Sequence, residues 1–270
     1  TNINSECYDI TEVILKVELI PEVALDEFYR LCVDATGNPI PAEEGSASPP
    51  VIDTGLDPSI YMFEWQLNGE VLLGEIGASI TALQEGTYTV TVTEIQTGCM
   101  ASTSTTVITS SPPVIYDVEV TEAFSSQHTI IATAEGGEFV FQLDDNPFQE
   151  SGIFLDVLPG NHTVTIKDVN GCGSVTIDVG VIDYPQFMTP NQDGYHDTWN
   201  IIGIANGDPT AKIYIFDRYG KLLKQLSTLS EGWDGSYNGN PMPSSDYWFR
   251  VEYTENDTKK EFRGHFTLKR

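Results

Sequence analysis

The sequence predicts an all-β chain: tandem immunoglobulin-like β-sandwich repeats followed by a C-terminal β-sandwich of different composition. Three observations carry this. Short segments rich in Thr, Val, Tyr and Ile alternate apolar with polar residues between Gly, Pro, Asn and Asp breakers. The chain matches itself: Leu83–Val92 followed by Thr97-Gly98-Cys99 is echoed by Leu158–Ile166 followed by Asn170-Gly171-Cys172. The spacings from Cys7 to Cys99 and from Cys99 to Cys172 are 92 and 73 residues, close to one sandwich each.

Taken in order, Thr1–Cys7 resembles Thr93–Cys99, so residues 1–20 read as the last hairpin of a truncated preceding repeat. Residues 21–112 read as one immunoglobulin-like repeat. Tyr61, Phe63, Trp65 and Leu67 share a strand face, as do Tyr88, Val90 and Val92. The Pro-, Ser- and acid-rich stretch from Gly37 to Asp57 reads as one long loop. Ser110-Ser111-Pro112-Pro113 reads as a linker. A shorter repeat follows over 113–184, where Phe139–Asp144 matches Phe63–Asn68 and Val164 and Ile166 repeat the inward face. Residues 185–270 form the last domain. Ile213 and Ile215 alternate with Tyr214 and Phe216, Tyr247, Phe249 and Val251 line one face, and Phe262, Gly264, Phe266 and Leu268 alternate with Arg263, His265, Thr267 and Lys269.

Charge divides the chain at Tyr184-Pro185. The net charge is −27, yet 10 of the 13 Lys/Arg and only 11 of the 40 Asp/Glu lie in 185–270, so residues 1–184 carry −26. A chain this acidic repels nucleic acid and anionic lipid, which argues against either as a partner. No apolar run is long enough to predict a transmembrane segment. The chain opens without Met or a signal sequence and reads as an excerpt of a longer polypeptide.

Chemistry-bearing motifs are sparse. Nucleophile-elbow, HExxH, P-loop and dinucleotide-binding patterns are absent, and His128, His162, His196 and His265 are scattered. The chain therefore reads as a non-enzyme with no required cofactor. Asn191, Asp193 and Asp197 set side-chain oxygens at positions 1, 3 and 7 around Gly194, as in part of a calcium loop. An Asx-type turn is the competing reading. Cys32 and Cys99 fall in one repeat, and a bridge between them would stabilise it by roughly 4 kcal/mol and imply an oxidising compartment. Cys7 would pair within the missing part of its own repeat, and spacing alone points to no candidate for Cys172 within residues 113–184.

The richest run is Phe187-Met188-Thr189-Pro190-Asn191-Gln192-Asp193-Gly194-Tyr195-His196-Asp197-Thr198-Trp199. With Ile213–Lys221, Gly232-Trp233-Asp234-Gly235, Gly239–Phe249 and Gly264–Arg270, it resembles the type B C-terminal sorting domain of the type IX secretion system of Bacteroidota. Met188 and His196 depart from the Phe and Asn common there. The acidic repeats resemble those of SprB-like gliding motility adhesins. The resemblance implies the C-terminal part of a large exported adhesin, at the cell surface and associated with the outer membrane. Its implied partners are the type IX translocon and a PorP/SprF-like outer-membrane β-barrel. Arg218, Tyr219, Lys221, Lys224 and the terminal Gly264, His265, Phe266, Thr267, Leu268, Lys269 and Arg270 are the candidate recognition residues. The terminal strand could also pair with a receptor edge. The alternative is a set of accessory and sorting domains on a secreted polysaccharide-degrading enzyme, and a third reading gives a repeat glycan-binding aromatics.

Overall fold

The structure, a computed structural model, describes residues 12, 17–45, 47–255 and 257–270. The fold is all-β, with one four-residue helical turn among the described residues. The predicted hairpin of 1–20 lies largely outside the described residues. The described chain divides into two compact units. The first runs to Thr109, and the second holds Ser110–Arg270 together with Val33–Thr36 and Ala42–Gly45.

The first unit contains β1 (Phe28–Cys32), β2 (Val51–Asp53), β3 (Tyr61–Leu67), β4 (Glu70–Val71), β5 (Ser79–Thr81), β6 (Gly86–Glu94) and β7 (Met100–Ser110). One sheet has the order β1-β7-β6-β3-β4 and the other pairs β2 with β5. Alternation places Phe63 opposite Val92 and Trp65 opposite Val90, all buried. The Trp65 indole N–H finds the Gly77 carbonyl at 2.9 Å, so the ring is buried without an orphan donor. The outward positions carry hydroxyls, with Thr89 bonded to Ser104 and Thr91 to Ser102 at 2.9 Å each. The stretch 37–57 is not one loop. Its Val51–Asp53 segment pairs with β5 because Ile52 and Ile80 face each other in the core.

The second unit begins with β8 (Ile115–Val120), β9 (Ile130–Glu135), β10 (Phe139–Leu143), β11 (Ile153–Phe154), β12 (Gly160–Asp168) and β13 (Ser174–Val181). Sheets β10-β12-β13 and β11-β9-β8 enclose a core that includes Ile130, Phe141, Val164, Ile166 and Val181. It continues with β14 (Phe187–Met188), a helical turn α1 (Ile204–Gly207), β15 (Lys212–Phe216), β16 (Leu222–Ser227), β17 (Ser236–Tyr237), β18 (Asn240–Pro241), β19 (Ser245–Glu255) and β20 (Thr258–Leu268). These form a five-stranded sheet, β14-β20-β19-β15-β16, and the small hairpin β17-β18.

One strand-entry device recurs three times. The Tyr88 hydroxyl donates to the Gln84 carbonyl (3.1 Å), and the Tyr247 hydroxyl to the Pro243 carbonyl (2.8 Å), each four residues back. His162 does the same from Nε2 to the Leu158 carbonyl (2.8 Å). A polar tip tied back this way fixes how the chain enters a central strand, as in the tyrosine corner of immunoglobulin sandwiches.

Residues 113–184 and 185–270 pack together within the second unit. Ile182 belongs to the core of the five-stranded sheet, with Ala123, Phe124 and Tyr184 against it. Asp183 and Ile202 form a β-bridge. Beside it Gly203 has φ of +71°, and a Cβ there would lie 2.2 Å from the Val181 carbonyl oxygen, so only glycine fits.

Candidate recognition face of the last domain

The five-stranded sheet has two unlike faces. Inward, Ile213, Ile215, Tyr247, Phe249, Val251, Phe266 and Leu268 pack against Trp199 and Trp233 from the loops covering the sheet. Trp199 stacks on Phe266 with ring centres 4.1 Å apart and donates its N–H to the Pro185 carbonyl at 2.8 Å. Trp233 donates to the Ser236 carbonyl at 2.7 Å. Trp199 and Trp233 are thus core residues with satisfied donors.

The predicted recognition residues separate into different environments. Phe266 and Leu268 are fully buried, so on the folded domain they cannot touch a partner. Gly264 is a close-approach position, where a Cβ would lie 2.6 Å from the Phe249 ring. Thr267 bonds to Asp246 at 2.7 Å. Arg270 is spent as a clamp: its N–H reaches Ser244 Oγ (3.0 Å), and its guanidinium reaches the carbonyls of Met242 (3.1 Å) and Gly235 (3.0 Å). Lys269 lies over the Phe187 ring at 4.7 Å. The terminal strand is not a free edge at its end, because Thr267 and Leu268 pair with β19 on one side and β14 on the other.

The basic residues near β15 and β16 also part company. Asp217 Oδ1 accepts the N–H groups of Tyr219 and Lys221 at 2.9 Å each, building the turn that leaves Tyr219 87% exposed. Lys221 sits over Tyr237 at 4.3 Å, and Lys224 lies near Asp234; both belong to the side covered by the β17-β18 hairpin. Arg218 instead reaches Ser245 Oγ on β19. It also lines the groove of the outward face, where strand register sets Phe216 beside Trp248 and His265, and Tyr214 beside Arg250 and Arg263. The Arg250 guanidinium lies over Tyr214 at 4.7 Å and meets Glu252 at 3.0 Å. Arg263 meets Glu261 at 2.8 Å. A shallow groove of about 440 Å³ runs past Phe216, Arg218, Trp248, Arg250 and Arg263. Sequence reading missed Trp248, Arg250 and Arg263 as a group, although the alternation that buries Tyr247, Phe249 and Val251 turns Trp248 and Arg250 outward.

The 191–197 loop accounts for its own oxygens. Asp197 accepts the N–H groups of Asn191 (2.9 Å), Gln192 (2.6 Å) and Gly194 (2.8 Å). Asp193 accepts from Tyr195 N–H and the Asn191 carboxamide, each at 2.8 Å, and Asn191 Oδ1 accepts Asp193 N–H at 3.1 Å. These hydrogen bonds hold the Asp193 carboxyl below its ordinary pKa, with the Tyr195 N–H the leading cause. The geometry is that of nested Asx turns. Among the described residues no group of three His, Cys, Asp or Glu is placed to hold a metal.

The predicted Cys32–Cys99 bridge does not form. Cys99 is a free thiol, whereas Cys32 and Cys172 are both disulfide-bonded. Cys7 lies outside the described residues.

Residues 182–268 match the CHU_C Type IX secretion signal domain. That match assigns a type IX sorting domain to this segment, and with it export from the cell. No helix among the described residues is long and apolar enough to cross a membrane. No curated protein sequence matches the chain. Similar solved structures include three N-terminal domains of the bacteriophage RB49 highly immunogenic outer capsid protein. That pair shares 13% identity, covering 81% of this chain and 92% of that one, with a TM-score of 0.30. Fibronectin(III)-like modules of Clostridium thermocellum CbhA share 14% identity over 59% of this chain and 94% of theirs, with a TM-score of 0.33. The four N-terminal Ig domains of Dscam1 share 13% identity over 93% and 75%, with a TM-score of 0.24.

Proposed function

We propose that the chain is an exported segment of a gliding motility adhesin of Bacteroidota, and that its last domain is the address read by the export machinery. The match of residues 182–268 to a type IX secretion signal carries this reading. The partners are the type IX translocon and a PorP/SprF-like outer-membrane barrel, which holds the adhesin at the cell surface. The task is recognition by a folded surface, with no reaction to catalyse. Two features support it. The sheet core, with Trp199, Trp233, Tyr247 and Phe266 interlocked, is the kind of rigid platform that presents one fixed face. The acidic repeats keep an exported chain soluble and resist non-specific adsorption.

Fusing residues 110–270, and separately 185–270, to a fluorescent reporter with its own signal peptide tests this in a gliding bacterium. Surface exposure that depends on the type IX system is the expected result. Retention of a folded fusion of all 270 residues in the periplasm would remove the export reading. Cells whose adhesin lacks this segment should lose spreading on agar; normal spreading would remove the adhesin reading while leaving export intact.

A further inference from the structure

The outer faces of the sheets invite comparison. On β6-β7 the outward cross-strand pairs are Thr89–Ser104 and Thr91–Ser102, and on β12-β13 the pair is Thr165–Thr176. Hydroxyls suit an antiparallel sheet with one face in water. The five-stranded sheet breaks that pattern. At the corresponding outward positions it carries Tyr214, Phe216, Trp248, His265, Arg250 and Arg263. Trp248 is 43% exposed, while Trp65, Trp199 and Trp233 are at most 1% exposed. Three of the chain's five arginines line this single groove, in a molecule with 40 acidic and 13 basic residues.

The local carboxylates engage Arg250 and Arg263 and leave Arg218 as the guanidinium of this groove that pairs with none of them. Glu252 and Glu261 serve Arg250 and Arg263 between them. Asp217 is occupied by backbone N–H groups. Arg218 has only the Ser245 hydroxyl, whereas Arg250 Nε is removed from water and faces Glu261 at 3.8 Å. A guanidinium fork takes carboxylate in a bidentate geometry, and an exposed Trp among arginines is the composition of a binding hot spot.

We propose that the outward face of β15, β19 and β20, centred on Trp248 and Arg218, docks an acidic, carboxylate-bearing peptide segment of a partner protein. The proposal rests on the export-address reading and names the chemistry of the partner that reads it. A peptide fits better than an anionic bilayer. Asp246, Glu252 and Glu261 stand on the same face, and a flat negative surface would meet them head on, whereas a loop sets its carboxylates between them.

Trp248 supplies the readout, because it is the one tryptophan that acrylamide reaches in the folded chain. On the full 270-residue protein, a decapeptide of eight Glu and two Leu should protect Trp248 from quenching. Arg218→Glu combined with Arg263→Glu should weaken that protection about tenfold in Kd. Arg218→Gln alone is the milder variant should the pair fail to fold. Arg30→Glu, a charge-matched change in the first unit, should leave binding unchanged. Four results would overturn the proposal: no protection; equal weakening by Arg30→Glu; equal protection by vesicles of anionic phospholipid; or a wild-type dimer that shields Trp248 without peptide. Export separates the two readings. Normal export of the folded Arg218→Glu/Arg263→Glu chain sinks the docking face and spares the address. Failure of the wild-type chain to export sinks the address, and the quenching result then stands on its own.

Discussion

Phe124 stacks on Phe262, with ring centres 4.0 Å apart and planes 9° from parallel. Phe124 comes from the segment before β9, and Phe262 from the terminal strand of the sorting domain. Tyr253 meets the same ring edge-on at 5.6 Å, and Tyr184 approaches at 6.1 Å. Around them Glu255 accepts the Ala123 N–H at 2.8 Å, and Lys260 reaches Glu255 at 2.6 Å and Glu122 at 3.4 Å. Phe124 holds φ at +61°, a conformation that costs a bulky L-residue on the order of 1–3 kcal/mol. The ring contacts and the Phe124 N–H bond to the Ile182 carbonyl (2.9 Å) hold it there.

Substitution separates packing from backbone strain. Phe124→Ala removes the ring and keeps the strain, so it should cost the second unit about 2–4 kcal/mol in urea denaturation. Phe124→Gly removes the ring but relieves the backbone, and should cost less than Ala. Equal losses, or a loss of Ala within error of zero, would deny the stack its role in joining 113–184 to 185–270. The same logic predicts that isolated 185–270 melts below the same residues in 110–270.

The cysteines give a second test. Cys99→Ala should leave thermal stability unchanged, because its thiol closes no bridge. Cys32→Ala or Cys172→Ala should each cost roughly 2–5 kcal/mol, the usual loss of a native disulfide. If instead Cys99→Ala lowered Tm and mimicked reduction, the predicted Cys32–Cys99 pairing would be restored.

These outcomes mark what the residues alone disclose. Period-2 alternation shows Trp65, Val90, Val164, Phe249 and Phe266 as inward, because burial repeats every second residue along a strand. It cannot show β2, whose three residues bury only Ile52 and are held by pairing with a strand 28 residues on. Nor can spacing choose among cysteines, since bridge geometry is fixed by three-dimensional position. The recognition face was half legible. Charge and the terminal motifs point to Arg218 and His265, but Trp248, Arg250 and Arg263 gather only through the β15-β19-β20 register. Phe266 and Leu268 belong to the terminal run that carries the family resemblance, but a motif match does not separate the residues that build the core from those that face a partner.

For the 191–197 turn, adding calcium or chelator should leave Tm unmoved, because Asp193 and Asp197 already answer five N–H groups. Asp197→Ala should lower Tm with or without calcium, since three backbone N–H groups lose one acceptor. A calcium-dependent rise in Tm that Asp197→Ala abolishes would return the loop to cation binding.

Asp208 offers a pH test with a defined sign. Burial alone would raise its pKa, but hydrogen bonds from the Thr210 hydroxyl and N–H and from the Thr254 N–H prevail, and the carboxyl sits below its ordinary value of 3.8. One oxygen accepts both Thr210 groups at 2.7 and 2.8 Å, and the other accepts Thr254 N–H at 2.6 Å, tying α1 to β19. A group depressed in the folded state stabilises fully above its unfolded pKa and loses that contribution as pH falls through the folded value. Asp208→Asn puts a carboxamide NH₂ where an acceptor is needed and should cost about 1–3 kcal/mol at pH 7. The gap between wild type and variant should then narrow below about pH 4, as the wild-type carboxyl takes up its proton. Urea denaturation from pH 7 to pH 2.5 reads both effects. A gap that stays constant, or widens in acid, would show that Asp208 does not act through its charge.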